Sequence, residues 1–65
     1  LNRVRELRLV LGLTQRQIAK ELGYKSPTVV TMWESGDRKL PSDKLPQLAR
    51  ILNCKINDLF VQETG

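Results

Sequence analysis

Residues 13–36 read LTQRQIAKELGYKSPTVVTMWESG, and their punctuation is that of two short helices joined by a tight turn. Thr14 offers a side-chain oxygen to cap the first, and Gly23 supplies a residue that takes up left-handed geometry and ends it. Ser26 and Pro27 open the second, since proline suits a first helical position, and Gly36 closes it. In the first segment Ile18, Ala19 and Leu22 fall on one side, with Arg16, Gln17, Lys20 and Glu21 on the other. The small side chain of Ala19 lets the next helix approach closely. The spacing predicts helices over 15–22 and 27–35.

The second of these helices has two dissimilar sides. Advancing about 100° per residue with Thr28 at zero places Val30 near about 200° and Trp33 near about 140°. Those two define the buried side. Thr28, Thr31, Met32 and Ser35 lie opposite, with Val29 on the border. This outer face is polar or flexible and almost free of charge, where a solvated helix normally carries Lys and Glu. Lys25 stands before it, and Arg38 and Lys39 follow it. An acid-free face between basic flanks suits close approach to a polyphosphate, and a short helix, a turn and such a second helix form the layout of a helix-turn-helix reader of DNA. The threonines offer hydroxyls and methyls, and Met32 offers an apolar tip for a thymine methyl. None makes the bidentate guanine contact of an arginine, which leaves more of the discrimination to DNA shape.

Working outward, a first segment from near Asn2 to Gly12 puts Val4, Leu7 and Leu11 on one face with Val10 beside them. Leu9 points elsewhere, as an isolated exposed leucine or as part of a contact surface. After a polar loop over 36–41, a fourth helix carries Leu45, Leu48, Ala49 and Leu52 as its stripe. Pro46 disturbs its start: with Ser42 as cap, the proline removes an early backbone bond, so a loose first turn with firm helix over 46–52 is expected. Asn53 is a left-handed terminator, and a last short helix from about Asn57 is expected to bury Ile56, Leu59 and Phe60. Nothing reads as a strand. The expected fold is all-α: five short helices around one core, with residues 1–65 as a single domain.

The bulk numbers fit a small basic module. A chain of 65 residues buries only about 60% of its unfolded surface, and 40% apolar content suffices for one core. Eleven Lys and Arg against seven Asp and Glu give a net charge of +4 and a pI near 9.7. That balance favours an anionic partner, nucleic acid above all. No apolar run approaches the roughly 18 residues that span a membrane. The chain has no histidine and one cysteine, Cys54, which removes the usual general base, a His/Cys metal cluster and an internal disulfide. With no glycine-rich phosphate loop and no paired acids near a plausible pocket, an enzyme is not expected, nor are a cofactor, a metal or a small-molecule ligand.

The residues resemble the DNA-binding domain of the lambdoid phage repressor and Cro family, the Xre-type helix-turn-helix. The resemblance covers nearly the whole chain: LTQ, IA and LG across 13–23, V, WE and G across 30–36, then Pro41, LPQLA at 45–49, Leu52 and a closing LF at 59–60. One departure is visible. Nine residues separate Gly23 from Trp33, one more than the common pattern, and this lengthens the turn around Lys25 or Ser26.

The resemblance implies a sequence-specific transcriptional regulator, and a repressor in particular, with helix 27–35 in the major groove. Thr28, Thr31 and Met32 sit where similar proteins touch bases, with Ser26 and Pro27 at the DNA-facing start of that helix. Gln15 is implied to bond a phosphate while supporting the recognition helix, and Lys39 with Arg38 matches a basic loop that tracks the backbone. Lys25 and Ser26 join this backbone set, as does Ser42, near a helix start that offers N–H groups to phosphate. Arg8 and Glu34 match an ion pair between the first and third helices; the competing reading leaves both solvated. Cys54 falls where similar proteins carry a small apolar residue, which implies a buried thiol; a redox switch is the other reading. The implied partners are a pseudo-palindromic double-stranded operator and a second copy of the chain, at least on DNA, met through 56–61 and the loop before the fourth helix. The implied setting is cytoplasmic, at a bacterial or phage nucleoid. A different reading keeps the fold but makes it an antitoxin or protein-interaction module, with Leu9, Val10 and Val61 as an apolar patch and DNA binding secondary.

Overall fold

Thr14 and Gln17 start the second helix by exchanging bonds. The Thr14 hydroxyl accepts the Gln17 backbone N–H at 3.0 Å, and the Gln17 side chain accepts the Thr14 N–H at 2.7 Å. Two otherwise unpaired donors are thus satisfied at once. The computed structural model describes residues 2–60, and within them lie four α-helices: α1 (Val4–Val10), α2 (Gln15–Glu21), α3 (Thr28–Ser35) and α4 (Leu45–Ile51). Short 3-10 helices occupy Ser42–Lys44 and Ile56–Leu59.

Three of the α-helices end in one way. After α2, Gly23 adopts a φ of 87°, its N–H reaches the Lys20 carbonyl, and the Tyr24 N–H reaches Ala19. Asn53 repeats this after α4 with φ 55°, its N–H on Arg50 and that of Cys54 on Ala49. Gly12 and Leu13 do the same after α1. This double closure satisfies orphan carbonyls and turns the chain sharply, so α1, α2 and α3 follow one another through short links.

The core is built from every helix. Val4 of α1, Ile18 and Ala19 of α2, Val30 and Trp33 of α3, and Leu48 and Ala49 of α4 are all buried, with Leu22, Leu52 and Leu59 completing it. Burying such side chains contributes roughly 1.5–3 kcal/mol each for the larger ones. Tyr24 meets Trp33 edge-on, with ring centroids 5.7 Å apart and planes at 78°. The Lys44 ammonium lies 5.7 Å from the centre of the same tyrosine ring and donates to the Leu22 carbonyl at 3.3 Å. The turn between α2 and α3 is therefore anchored by Tyr24 beneath it.

Four expectations are corrected. The all-α class stands, but among the described residues there are four α-helices rather than five, because the last described segment with helical geometry is a four-residue 3-10 helix. Phe60 then leaves it as extended backbone, bridged to Asn2. Of the three apolar residues expected inside there, only Leu59 is buried, while Ile56 and Phe60 are exposed. At the other end, Val10 and Leu11 are exposed, at 79% and 43%. A seven-residue helix is about 10 Å long; α1 meets the core through Val4 and Leu7 and carries its last turn beyond it. Cys54 is half-buried rather than fully buried. As expected, the start of α4 is loose: Ser42–Lys44 is 3-10 and the α-helix begins one residue before Pro46. Val61 lies outside the described residues.

Candidate nucleic-acid interface

α3 is held by its buried side and bare on the other. Val30 and Trp33 are sealed in the core, whereas Thr28, Thr31 and Ser35 are exposed and Met32 is half-buried. The start of α3 is organised by Ser26. Its Oγ accepts the Thr28 N–H at 3.2 Å and lies 2.8 Å from the Thr28 hydroxyl, so Ser26 does the capping and Pro27 takes the position before the first helical residue.

A chain of polar contacts runs from α1 through α2 to α3. Arg8 grips Glu34 with two bonds, Nε at 2.8 Å and a terminal nitrogen at 3.1 Å, and its other terminal nitrogen donates to the Leu13 carbonyl at 3.0 Å. The two side chains are only 11% and 6% exposed. Gln15, at the first position of α2, donates to the same Glu34 carboxylate at 3.1 Å. Its carbonyl oxygen accepts the Thr31 hydroxyl at 2.8 Å, and that hydroxyl also lies 3.3 Å from the Pro27 carbonyl. A forked guanidinium on a carboxylate fixes geometry as well as charge, so α1 and α2 set the rotation of α3 about its axis. The resemblance implies that Gln15 supports α3, but the sequence does not name Thr31 as the residue it bonds. The bond depends on the crossing of two helices, and no residue spacing encodes that.

The structure brings Arg8, Gln15, Thr31 and Glu34 onto one open groove of about 620 Å³. Pro27 and Ser35 also line it; Thr28, Met32, Lys39 and Ser42 do not. Lys25, Arg38, Lys39 and Ser42 are exposed. Arg38 and Lys39 follow the C-terminal end of α3, where Asp37 is engaged by the Ser35 hydroxyl at 3.1 Å. Ser42 begins the first 3-10 helix. Among the described residues no group of His, Cys, Asp and Glu is placed to hold a metal ion, and no helix is long and apolar enough to cross a membrane.

This arrangement can present a narrow, acid-free helix face to a groove while basic and hydroxyl groups meet the phosphates beside it. Comparison with known proteins points the same way. The profile of the Helix-turn-helix family matches residues 4–59, which takes in every helix described above. Two proteins of Archaeoglobus fulgidus, each described as an uncharacterized HTH-type transcriptional regulator, are 40% and 38% identical to this chain over 60 residues. In each case the match spans 91% of this chain, and it covers 83% and 82% of the respective relatives.

Proposed function

The chain belongs to the helix-turn-helix family, and on that footing we propose that it binds double-stranded DNA sequence-specifically and regulates transcription, as a repressor. The observation that carries the reading is the outer face of α3, which is free of acids and set at a fixed rotation by the Arg8–Glu34–Gln15–Thr31 chain. In this reading α3 enters the major groove, with Thr28, Thr31 and Met32 at base edges. Gln15, Lys25, Ser26, Arg38, Lys39 and Ser42 meet the backbone. Residues 1–65 act as one DNA-binding domain without catalytic activity, in the cytoplasm. Both relatives are archaeal, so the setting need not be bacterial or phage. On the operator two copies pair about a twofold axis, which places half-sites about 34 Å apart.

Selection of binding sites from random duplex DNA, at stated salt, tests this directly. Enrichment of a reproducible motif that shifts in Met32→Ala supports the reading. No enrichment even in dilute buffer removes it.

One observation favours the second reading. Leu9, Val10 and Leu11 form a consecutive exposed apolar run at the end of α1, and such a patch suits a protein partner. An antitoxin-like role predicts that changing these residues to serine abolishes a protein complex and leaves DNA binding intact.

A further inference from the structure

The groove beside α3 continues into a second depression of about 260 Å³, since Arg16 and Pro27 line both. Arg5 of α1 lines the first, and Lys20 and Lys25 line the second. Arg16 and Lys20 stand four residues apart on α2, hence on one face of it. Among the described residues lining the two depressions Glu34 is the one acid, and Arg8 already holds it. The ion pairs formed among the described residues are Arg3–Glu6 and Arg8–Glu34, so Arg5, Arg16 and Lys20 belong to neither. All three are exposed. Cations that pair with no acid among the described residues, gathered along one continuous surface, make a track of positive potential.

We propose that Arg5, Arg16 and Lys20 form a phosphate track along α1 and α2, which takes one sugar-phosphate strand of the duplex whose major groove receives α3. The inference rests on the DNA-binding reading above and adds contacts to it. The major groove is bordered by two backbones, and a helix docked in it brings its neighbouring helix over one of them. The track is an extended strip rather than a single pocket, and its neutral polar neighbours are hydroxyls and an amide: Thr14, Gln15, Tyr24, Ser26, Thr31 and Ser35. Hydroxyls, amides and Arg or Lys are the groups that bond phosphate oxygens without reading sequence.

Each phosphate neutralised releases condensed counterions, so the slope of log K against log salt changes by about 0.9 per contact on duplex DNA. The experiment measures that slope for the wild type, Arg5→Gln, Arg16→Gln, Lys20→Gln and Arg50→Gln. Arg50 is exposed and lines a different depression beside α4, which makes it the charge-matched control. The expected result is a slope shallower by about 0.9 in each of the first three, with the selected motif unchanged, and a wild-type slope in Arg50→Gln. If the wild type binds DNA with a steep slope and the three variants match Arg50→Gln, the track is overturned while the DNA-binding reading survives. If the wild type binds no DNA in dilute salt, the reading itself fails, and the track with it.

Discussion

The hydroxyl of Thr31 on α3 donates to the carboxamide of Gln15 at the start of α2, across 2.8 Å. The same carboxamide donates to Glu34 at 3.1 Å, so Gln15 stands between the exposed outer face of α3 and an ion pair nearly sealed from solvent. A free threonine hydroxyl rotates to suit whatever it meets. Here its hydrogen is committed, and what it presents outward is a pair of acceptor sites. The donor that such a hydroxyl recognises in the major groove is an exocyclic amine, on adenine or cytosine.

Gln15→Ala is therefore expected to do two things at once: weaken binding to every sequence, and relax preference at the base pair facing Thr31. Thr31→Val should relax the same position. Because the two side chains act as one unit, the double variant loses no more selectivity than Thr31→Val alone. Site selection on the three variants reads this out, and strictly additive losses would show that the bond is irrelevant to recognition.

Glu34 and Arg8 are nearly sealed from solvent, whereas Arg3 and Glu6 form an exposed pair at 3.0 Å. Removing one member of a desolvated pair costs about 3–5 kcal/mol because its partner is left uncompensated, and exposed pairs contribute little. In a domain of this size each kcal/mol moves the melting temperature by about 4–8 °C. Glu34→Ala should thus melt at least about 10 °C lower than the wild type, Glu34→Gln should fall between them, and Glu6→Ala should change little. Equal shifts for Glu34→Ala and Glu6→Ala in a thermal melt would discard the role given to the buried pair.

Features fixed within a few residues were legible in the sequence. The Thr14 cap, the left-handed Gly23 and Asn53, and the inward placement of Ile18, Val30 and Trp33 each follow from local preference and helical period. Features set by where elements end in space were not. Val10 and Leu11 carry the right period to be buried, yet α1 outruns the core. Phe60 looks apolar enough to be inside, but extended backbone after the last 3-10 helix turns it out. In the candidate site the polar face of α3 was readable because its period separates it from Trp33. The Gln15–Thr31 bond, the Tyr24 anchor and the placement of Arg5 and Arg16 on one groove arise from helix crossings between residues far apart in sequence.

Cys54 sets a limit on redox sensitivity. Burial pushes its thiol up, with the Asp58 carboxylate adding to the effect and Arg3 opposing it. A thiol raised in the folded state keeps its full contribution to stability below the unfolded thiol's pKa. That contribution is lost as pH rises through the folded value. Alkylation of the native protein at neutral pH should accordingly be slower than in denaturant, and the melting temperature should begin to fall only in alkaline buffer. Labelling at neutral pH as fast as in the unfolded chain would contradict this and reopen a sensing role.

Ala19 provides a test of how closely stability and recognition are tied. It is 2% exposed and lies on the side of α2 that faces the core, where α2 packs against α3. Ala19→Leu forces additional methyl and methylene groups into a packed seam, which typically costs about 1–3 kcal/mol. The strain must be relieved by α3 moving away from α2, and the 2.8 Å bond from Thr31 to Gln15 cannot survive such a shift. DNA affinity is then expected to fall well beyond what partial unfolding accounts for, even at a temperature where the variant is fully folded. Ala19→Gly instead leaves the seam open and costs roughly 0.5–1 kcal/mol through helix propensity alone, with recognition retained. If Ala19→Leu binds its operator as the wild type does while folded, α3 is positioned by something other than its packing on α2.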